Sequence, residues 1–140
     1  MSRINVRLRK IGLLCQTYYE IESSQFERNY VAVAGFGKCR WKWHDKDIVI
    51  KMTSNTACNV LENGVFCGTI NQNYKWWEIN YRGGVFRADL APRFIYIRLQ
   101  GTRLAAITTL KYASDVIIVP DRHADLYGML ISFSLFCFIS

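Results

Sequence analysis

The segment Lys38-Cys39-Arg40-Trp41-Lys42-Trp43-His44 holds the densest set of chemically capable side chains in this chain. In an extended strand, successive side chains point to opposite faces. Lys38, Arg40, Lys42 and His44 then share one side, and Cys39, Trp41 and Trp43 share the other. Three cations and a titratable imidazole on one strip can hold a phosphate by charge-assisted hydrogen bonds. The tryptophans pack into a core or sit at a membrane interface, where rings with a polar edge are enriched. The plainer alternative is a half-exposed strand, wet on its basic face. Arg3, Arg7 and Arg9 form a second basic strip near the start of the chain, with the same plainer alternative. If the two strands pair, the strips merge into one anion-binding surface.

Other chemistries are weakly represented. Trp76 and Trp77 are consecutive, so one is expected in the core and the other is free to stack on a ligand beside Lys75. Asp121, His123 and Asp125 could ligate a metal, but a helix cap and first turn already account for them. His44 with Asp45 and Asp47 is an equally weak metal candidate. The five cysteines, Cys15, Cys39, Cys58, Cys67 and Cys137, form no C-x-x-C. Buried free thiols are expected rather than a disulfide framework or a zinc site. The chain has two histidines and shows neither a nucleophile elbow nor a Cys–His arrangement. Gly35-Phe36-Gly37 is a turn, not a phosphate loop. No nucleic-acid-binding fingerprint is present. The expectation is a non-enzyme with no metal and no cofactor.

Charge points the same way. Eighteen Lys/Arg against eleven Asp/Glu leave +7, and most of the excess lies in the first 51 residues. A basic surplus favours anionic partners such as phosphates or anionic lipid, or simply keeps the protein in solution. The basic N-terminus lacks an apolar stretch long enough for a signal peptide, so a cytoplasmic protein is expected.

These residues must be positioned mainly by strands. Aromatic residues make up 14% of the chain and suit a pleated, half-buried surface. Alternation dominates from Ile4 to about Val119, broken by turn signals at short intervals. The strongest of these is Asn63-Gly64, because a type I′ turn needs positive φ at both central residues. About twelve short strands result, in a single domain of 140 residues. Pro120 and Asp121 then announce a helix. From Leu126 to Ser140 there is no charged residue. Fifteen helical residues span about 22 Å, short for a bilayer core of about 30 Å. A helix apolar on all sides and too short for lipid is expected to be buried by protein. A further strand is the alternative. The expected fold is mainly β: a closed antiparallel barrel of about twelve strands around a hydrophobic C-terminal helix.

A dozen strands ending in Val116-Ile117-Ile118-Val119-Pro120-Asp121 and an apolar tail resembles the tubby C-terminal-like superfamily, which includes LURP-one-related proteins and phospholipid scramblases. Lys75–Tyr81, Val85–Leu90 and Arg93–Leu99, followed by Leu104-Ala105-Ala106-Ile107, look like the repeated strand units of the LURP-one-related chains. The calcium-binding acidic segment, the cysteine-rich lipidation segment and the separate transmembrane helix of scramblases have no counterpart here, so scrambling is not implied. The resemblance implies a non-enzymatic module that binds anionic phospholipid headgroups or phosphorylated ligands, at most peripherally attached to a membrane. Lys38, Arg40, Lys42, His44, Arg7 and Arg9 are the candidate binding residues. Two alternatives stand beside it. One is a protein-protein interaction domain with exposed aromatics as its contact. The other is a calycin-like carrier of a hydrophobic molecule, which requires an open interior.

Overall fold

Turn chemistry sets the course of this chain. Phe36-Gly37, Asn63-Gly64 and Arg82-Gly83 all have positive φ at both positions, as the hairpin turns that match strand twist require. The computed structural model describes residues 4–13, 16–23, 27–92, 94–99, 101–108, 113–118 and 127–139. Within them lie β1 (Ile4–Leu13), β2 (Gln16–Glu22), β3 (Tyr30–Gly35), β4 (Lys38–Trp43), β5 (Lys46–Ser54), β6 (Ala57–Glu62) and β7 (Val65–Asn73). They are followed by β8 (Trp76–Tyr81), β9 (Gly84–Leu90), β10 (Phe94–Leu99), β11 (Thr102–Thr108), β12 (Ala113–Ile118) and α1 (Tyr127–Ile139).

The expectation of a closed barrel needs correction. Strands β1 to β11 make one antiparallel meander, each paired with the next in sequence. This eleven-strand sheet does not close on itself: its edges, β1 and β11, do not pair with each other. β12 lies in the gap between them, running from Ile4↔Ile118 to Arg9↔Ala113 on the β1 side. On the β11 side it is matched, among the described residues, from Ala105↔Ile118 to Ile107↔Val116, and the strand order becomes a ring through this seam. The physical reason is that hairpins dictate which strands are neighbours, whereas closure depends on tilt and stagger accumulated around the whole sheet. No local strand pattern encodes that sum.

β1 ends at Leu13, and β2 begins at Gln16. β12 runs through Ser114-Asp115 without a break. The proposed start of the helix at Pro120-Asp121 falls outside the described residues.

Glycine is required at Gly68. A Cβ there would lie 2.1 Å from the Asn80 carbonyl oxygen of the paired strand. The backbones of β7 and β8 approach too closely for any side chain at that point.

The inner face of the sheet and the helix share one core. Trp41, Ile48, Ile50, Ile70, Ile79 and Ile97 are almost fully buried, together with Phe133 and Phe136 of α1. Every residue from Met129 to Phe136 is buried, so no side of this stretch faces water. Each large apolar side chain fully buried contributes about 1.5–3 kcal/mol. The helix also carries two serines, and both are satisfied. Ser132 Oγ accepts a hydrogen bond from Trp41 Nε1 at 3.2 Å, and Ser134 Oγ donates to the Leu130 carbonyl at 2.8 Å. α1 begins beside Trp43 and Ile48, the nearest side chains to Gly128, and descends to Phe133, whose ring meets Trp77 edge-on at 5.6 Å.

The direction of α1 distinguishes the two ends of the sheet. The upper end, where α1 starts, carries the turns at His44-Asp45, Asn63-Gly64, Arg82-Gly83 and Gly101. The lower end carries the turns at Phe36-Gly37, Asn55-Thr56, Tyr74-Lys75 and Ala91-Pro92. Neighbouring hairpins are tied together at each end. Asp47 N–H donates to Asn63 Oδ1 above, and Met52 N–H donates to the Gly37 carbonyl below.

Candidate anion-binding face

The expected alternation along β4 is present. Lys38, Arg40 and Lys42 are exposed, and Cys39, Trp41 and Trp43 are buried. The driving force is the tryptophan pair, with ring centroids 5.8 Å apart and with Tyr30 set against both rings. Anchoring that face in the core leaves the cations no direction but outward.

His44 departs from the strip. It stands in the turn after β4 with φ 54, and its ring packs against Trp43 at 4.5 Å and Tyr30 at 6.4 Å. A left-handed residue breaks the two-residue alternation, so the imidazole is turned to the upper rim instead of extending the lysine row.

The register adds a residue that sequence reasoning missed. Lys51 on β5 lies directly opposite Lys38. Both are exposed. Among the described residues, neither has a carboxylate partner. Directly opposed residues have Cβ atoms about 5 Å apart, and like charges there oppose folding. Lys42 faces Asp47 in the same ladder, and Arg40 reaches Asp47 at 3.8 Å. Asp47 is thus paired with Arg40 and stands across from Lys42, while the Lys38–Lys51 pair has no carboxylate among the described residues. Alternation within a strand is visible in sequence; the pairing of one lysine with another 13 positions away is not.

The second strip does not join the first. β1 pairs with β12 and β2, and β4 pairs with β3 and β5, so β2 and β3 stand between the strips. Arg9 is also engaged, reaching Glu20 at 3.3 Å, and Arg7 lies opposite Glu22. Arg3 is outside the described residues. Arg7 and Arg9 thus face carboxylates on β2, and no merged surface forms.

A further basic face, on β8 to β11, was not foreseen. Arg87, Arg98 and Arg103 fall in one cross-strand row. Arg87 donates to Asp89 at 2.9 Å and Arg98 to the same carboxylate at 3.4 Å. Arg87 lies over the Trp76 ring at 4.4 Å and Arg103 over Tyr96 at 4.0 Å. Trp77 is the core member of the tryptophan pair, as one of the two had to be. Trp76 is capped by Arg87 and is not a free stacking surface. An open groove of about 410 Å³ runs beside this row, lined by Val85, Phe86, Arg87, Asp89, Arg98 and Gly101. Its arginines are already held by carboxylate and rings.

At the upper rim, Glu62 is buried and surrounded. Its carboxylate accepts hydrogen bonds from Tyr81 and Arg82, and Lys46 lies 3.7 Å away. Burial by itself would push this carboxyl up, but the two hydrogen bonds and the Arg82 and Lys46 charges outweigh it and hold the group below its usual range. The cluster connects β5, β6 and the turn after β8.

The thiols of Cys39, Cys58 and Cys67 are held in their protonated form. Burial pushes Cys39 and Cys58 up to about 12, and burial with the neighbouring Glu62 charge does the same for Cys67. A thiol with such a pKa supplies almost no thiolate near neutrality. Among the described residues no group of His, Cys, Asp and Glu is placed to hold a metal, which removes the His44, Asp45 and Asp47 candidate. Asp121, His123 and Asp125 lie outside those residues. No helix among the described residues is long and apolar enough to cross a membrane.

Comparison of this chain with protein-family models, curated proteins and solved structures found no match.

Proposed function

We propose that this protein is a non-enzymatic binding module whose β4–β5 outer face recognises anionic groups, with phospholipid headgroups as the leading class. The observation that carries it is the opposition of Lys38 and Lys51, both exposed and without a carboxylate among the described residues. Two like charges across a ladder oppose folding, so their presence is better explained by a partner than by stability. Lys42 and Arg40 extend the same patch. An anion there gains charge-assisted hydrogen bonds without displacing an internal carboxylate from the Lys38–Lys51 pair. The β8–β11 arginines would have to release Asp89 first. A peripheral, cytoplasmic protein kindred to the tubby-like modules is the setting that this proposal carries forward from the sequence.

Sedimentation with vesicles tests it. The wild-type protein is expected to pellet with phosphatidylserine-doped vesicles and to remain in solution with pure phosphatidylcholine. Joint replacement of Lys38, Lys42 and Lys51 by Ala should abolish the difference. Equal binding to both vesicle types, or undiminished binding by the triple variant, would defeat the proposal. The hydrophobic-carrier alternative gains no support, because buried residues of α1 occupy the inner side of the sheet that a ligand would need.

A further inference from the structure

Phe36 is the most exposed large apolar side chain in the described structure, at 91%, followed by Tyr74 at 88%. Both sit at the tips of lower-end turns. Phe36 also has φ 55, a left-handed conformation that disfavours bulky side chains and suits Asn, Asp or Gly. The fold gains nothing from an aromatic ring there: it buries no surface and strains the backbone. A residue that is unfavourable in both respects points to a role outside the folded chain.

The turn tips themselves carry cations and no carboxylate, and the nearby Asp89, opposite Trp76, is engaged by Arg87 and Arg98. Lys38 follows Phe36-Gly37 directly, and Lys51 is brought beside it by the β4–β5 register and by Met52 N–H donating to the Gly37 carbonyl. Lys75 follows Tyr74 and lies 5.4 Å from its ring centre. Leu90, also exposed, is joined to that turn through its N–H and the Lys75 carbonyl. The lower-end stretches 35–38, 53–56, 73–76 and 90–92 contain no Asp or Glu. The upper end carries Glu27, Asp45, Asp47 and Glu62.

From this polarity we infer that the lower end docks on an anionic bilayer, with the Phe36 ring entering the headgroup–acyl boundary and Lys38, Lys51 and Lys75 lying at the phosphate level. Aromatic rings favour that boundary, and lysines near an anionic surface add attraction that falls off within a Debye length. This rests on the anion-binding proposal and deepens it: it names a lipid surface as the partner and gives the orientation in which the protein meets it. A free phosphate compound could use the lysines but has no use for Phe36.

Phe36→Asn separates the two ideas. Asn suits the left-handed position, so the variant should fold at least as well as wild type. With phosphatidylserine-doped vesicles its affinity should fall roughly tenfold, the equivalent of losing most of one aromatic insertion. Its binding to inositol hexakisphosphate, a soluble polyanion, should equal that of wild type. Phe36→Trp should keep vesicle binding and show a blue-shifted emission on anionic vesicles. Undiminished vesicle binding by Phe36→Asn would overturn the docking orientation and leave the anion-binding face intact. Failure of the wild type to bind either anionic vesicles or the polyanion would overturn both. Self-association in sedimentation, lost in Phe36→Asn and without vesicle binding, would assign the tip to a second copy of the chain and overturn the lipid assignment.

Discussion

The two ends of this sheet handle charge in opposite ways. At the upper rim a buried carboxylate, Glu62, is met by Tyr81, Arg82 and Lys46, and three hairpins are linked through it. At the lower end Lys38 faces Lys51 across the ladder, and the turn tips expose Phe36 and Tyr74. Charges arranged for the fold meet their opposites within the chain. Charges left facing their like, beside exposed rings, add nothing to the fold and stay open to solvent. The arginine face on β8–β11 belongs with the upper rim in this respect, since Asp89 and the Trp76 and Tyr96 rings hold its cations.

The contrast can be broken most forcefully at Glu62. Glu62→Ala removes the shared acceptor and leaves the Tyr81 hydroxyl and Arg82 without it. A loss of about 3 kcal/mol is expected in chemical denaturation, the cost of opening a buried, charge-assisted network. Lys51→Ala at the lower end should be neutral or slightly stabilising, because it relieves a like-charge contact. A Lys51→Ala loss as large as that of Glu62→Ala would erase the distinction between the ends.

A smaller effect follows with pH. The folded Glu62 carboxyl lies below its ordinary range, so it takes up its proton less readily folded than unfolded. Its contribution is fully present above the ordinary carboxyl pKa of about 4 and is lost as pH falls through the lower folded value. Wild-type melting temperature should therefore drop in that acidic window. Glu62→Gln should start lower and lose less across the same interval. Parallel curves for the two proteins would remove Glu62 as a source of acid sensitivity.

A further small change is expected from Lys51→Glu, which turns the like pair with Lys38 into an opposite one. A gain of roughly 0.2–1 kcal/mol in unfolding free energy is expected, together with weaker binding to anionic vesicles. A stabilised variant that binds as well as wild type would show that the lysine pair is not a contact surface.

Different residues were legible to different degrees. The burial of Trp41 and Trp43 and the exposure of Lys38, Arg40 and Lys42 follow from alternation, because a strand has only two faces and the aromatic one must leave water. Asn63-Gly64 marked its own hairpin for a similarly local reason. His44 was expected on the face of Lys38, Arg40 and Lys42 and leaves it, since one positive φ rotates a side chain out of a strand's pattern. Nothing in its neighbourhood along the chain sets Glu62 apart from other strand glutamates. Only the approach of Tyr81, Arg82 and Lys46 from other hairpins makes it a buried junction. The Arg87–Arg98–Arg103 row was invisible because its members lie on separate strands.

Sequence by itself determined the local rules: where the chain turns, which side of each strand seeks the core, and that residues 126–140, without a charged side chain, avoid water. These depend on contacts between near neighbours, which composition and spacing encode directly. Tertiary structure decided how the edges of the sheet meet, which cations are opposed by carboxylates and which by one another, and that the exposed rings share an end with the unmatched lysines. Those outcomes depend on register and on the direction of successive hairpins. Both accumulate along the chain and are written in no single segment of it.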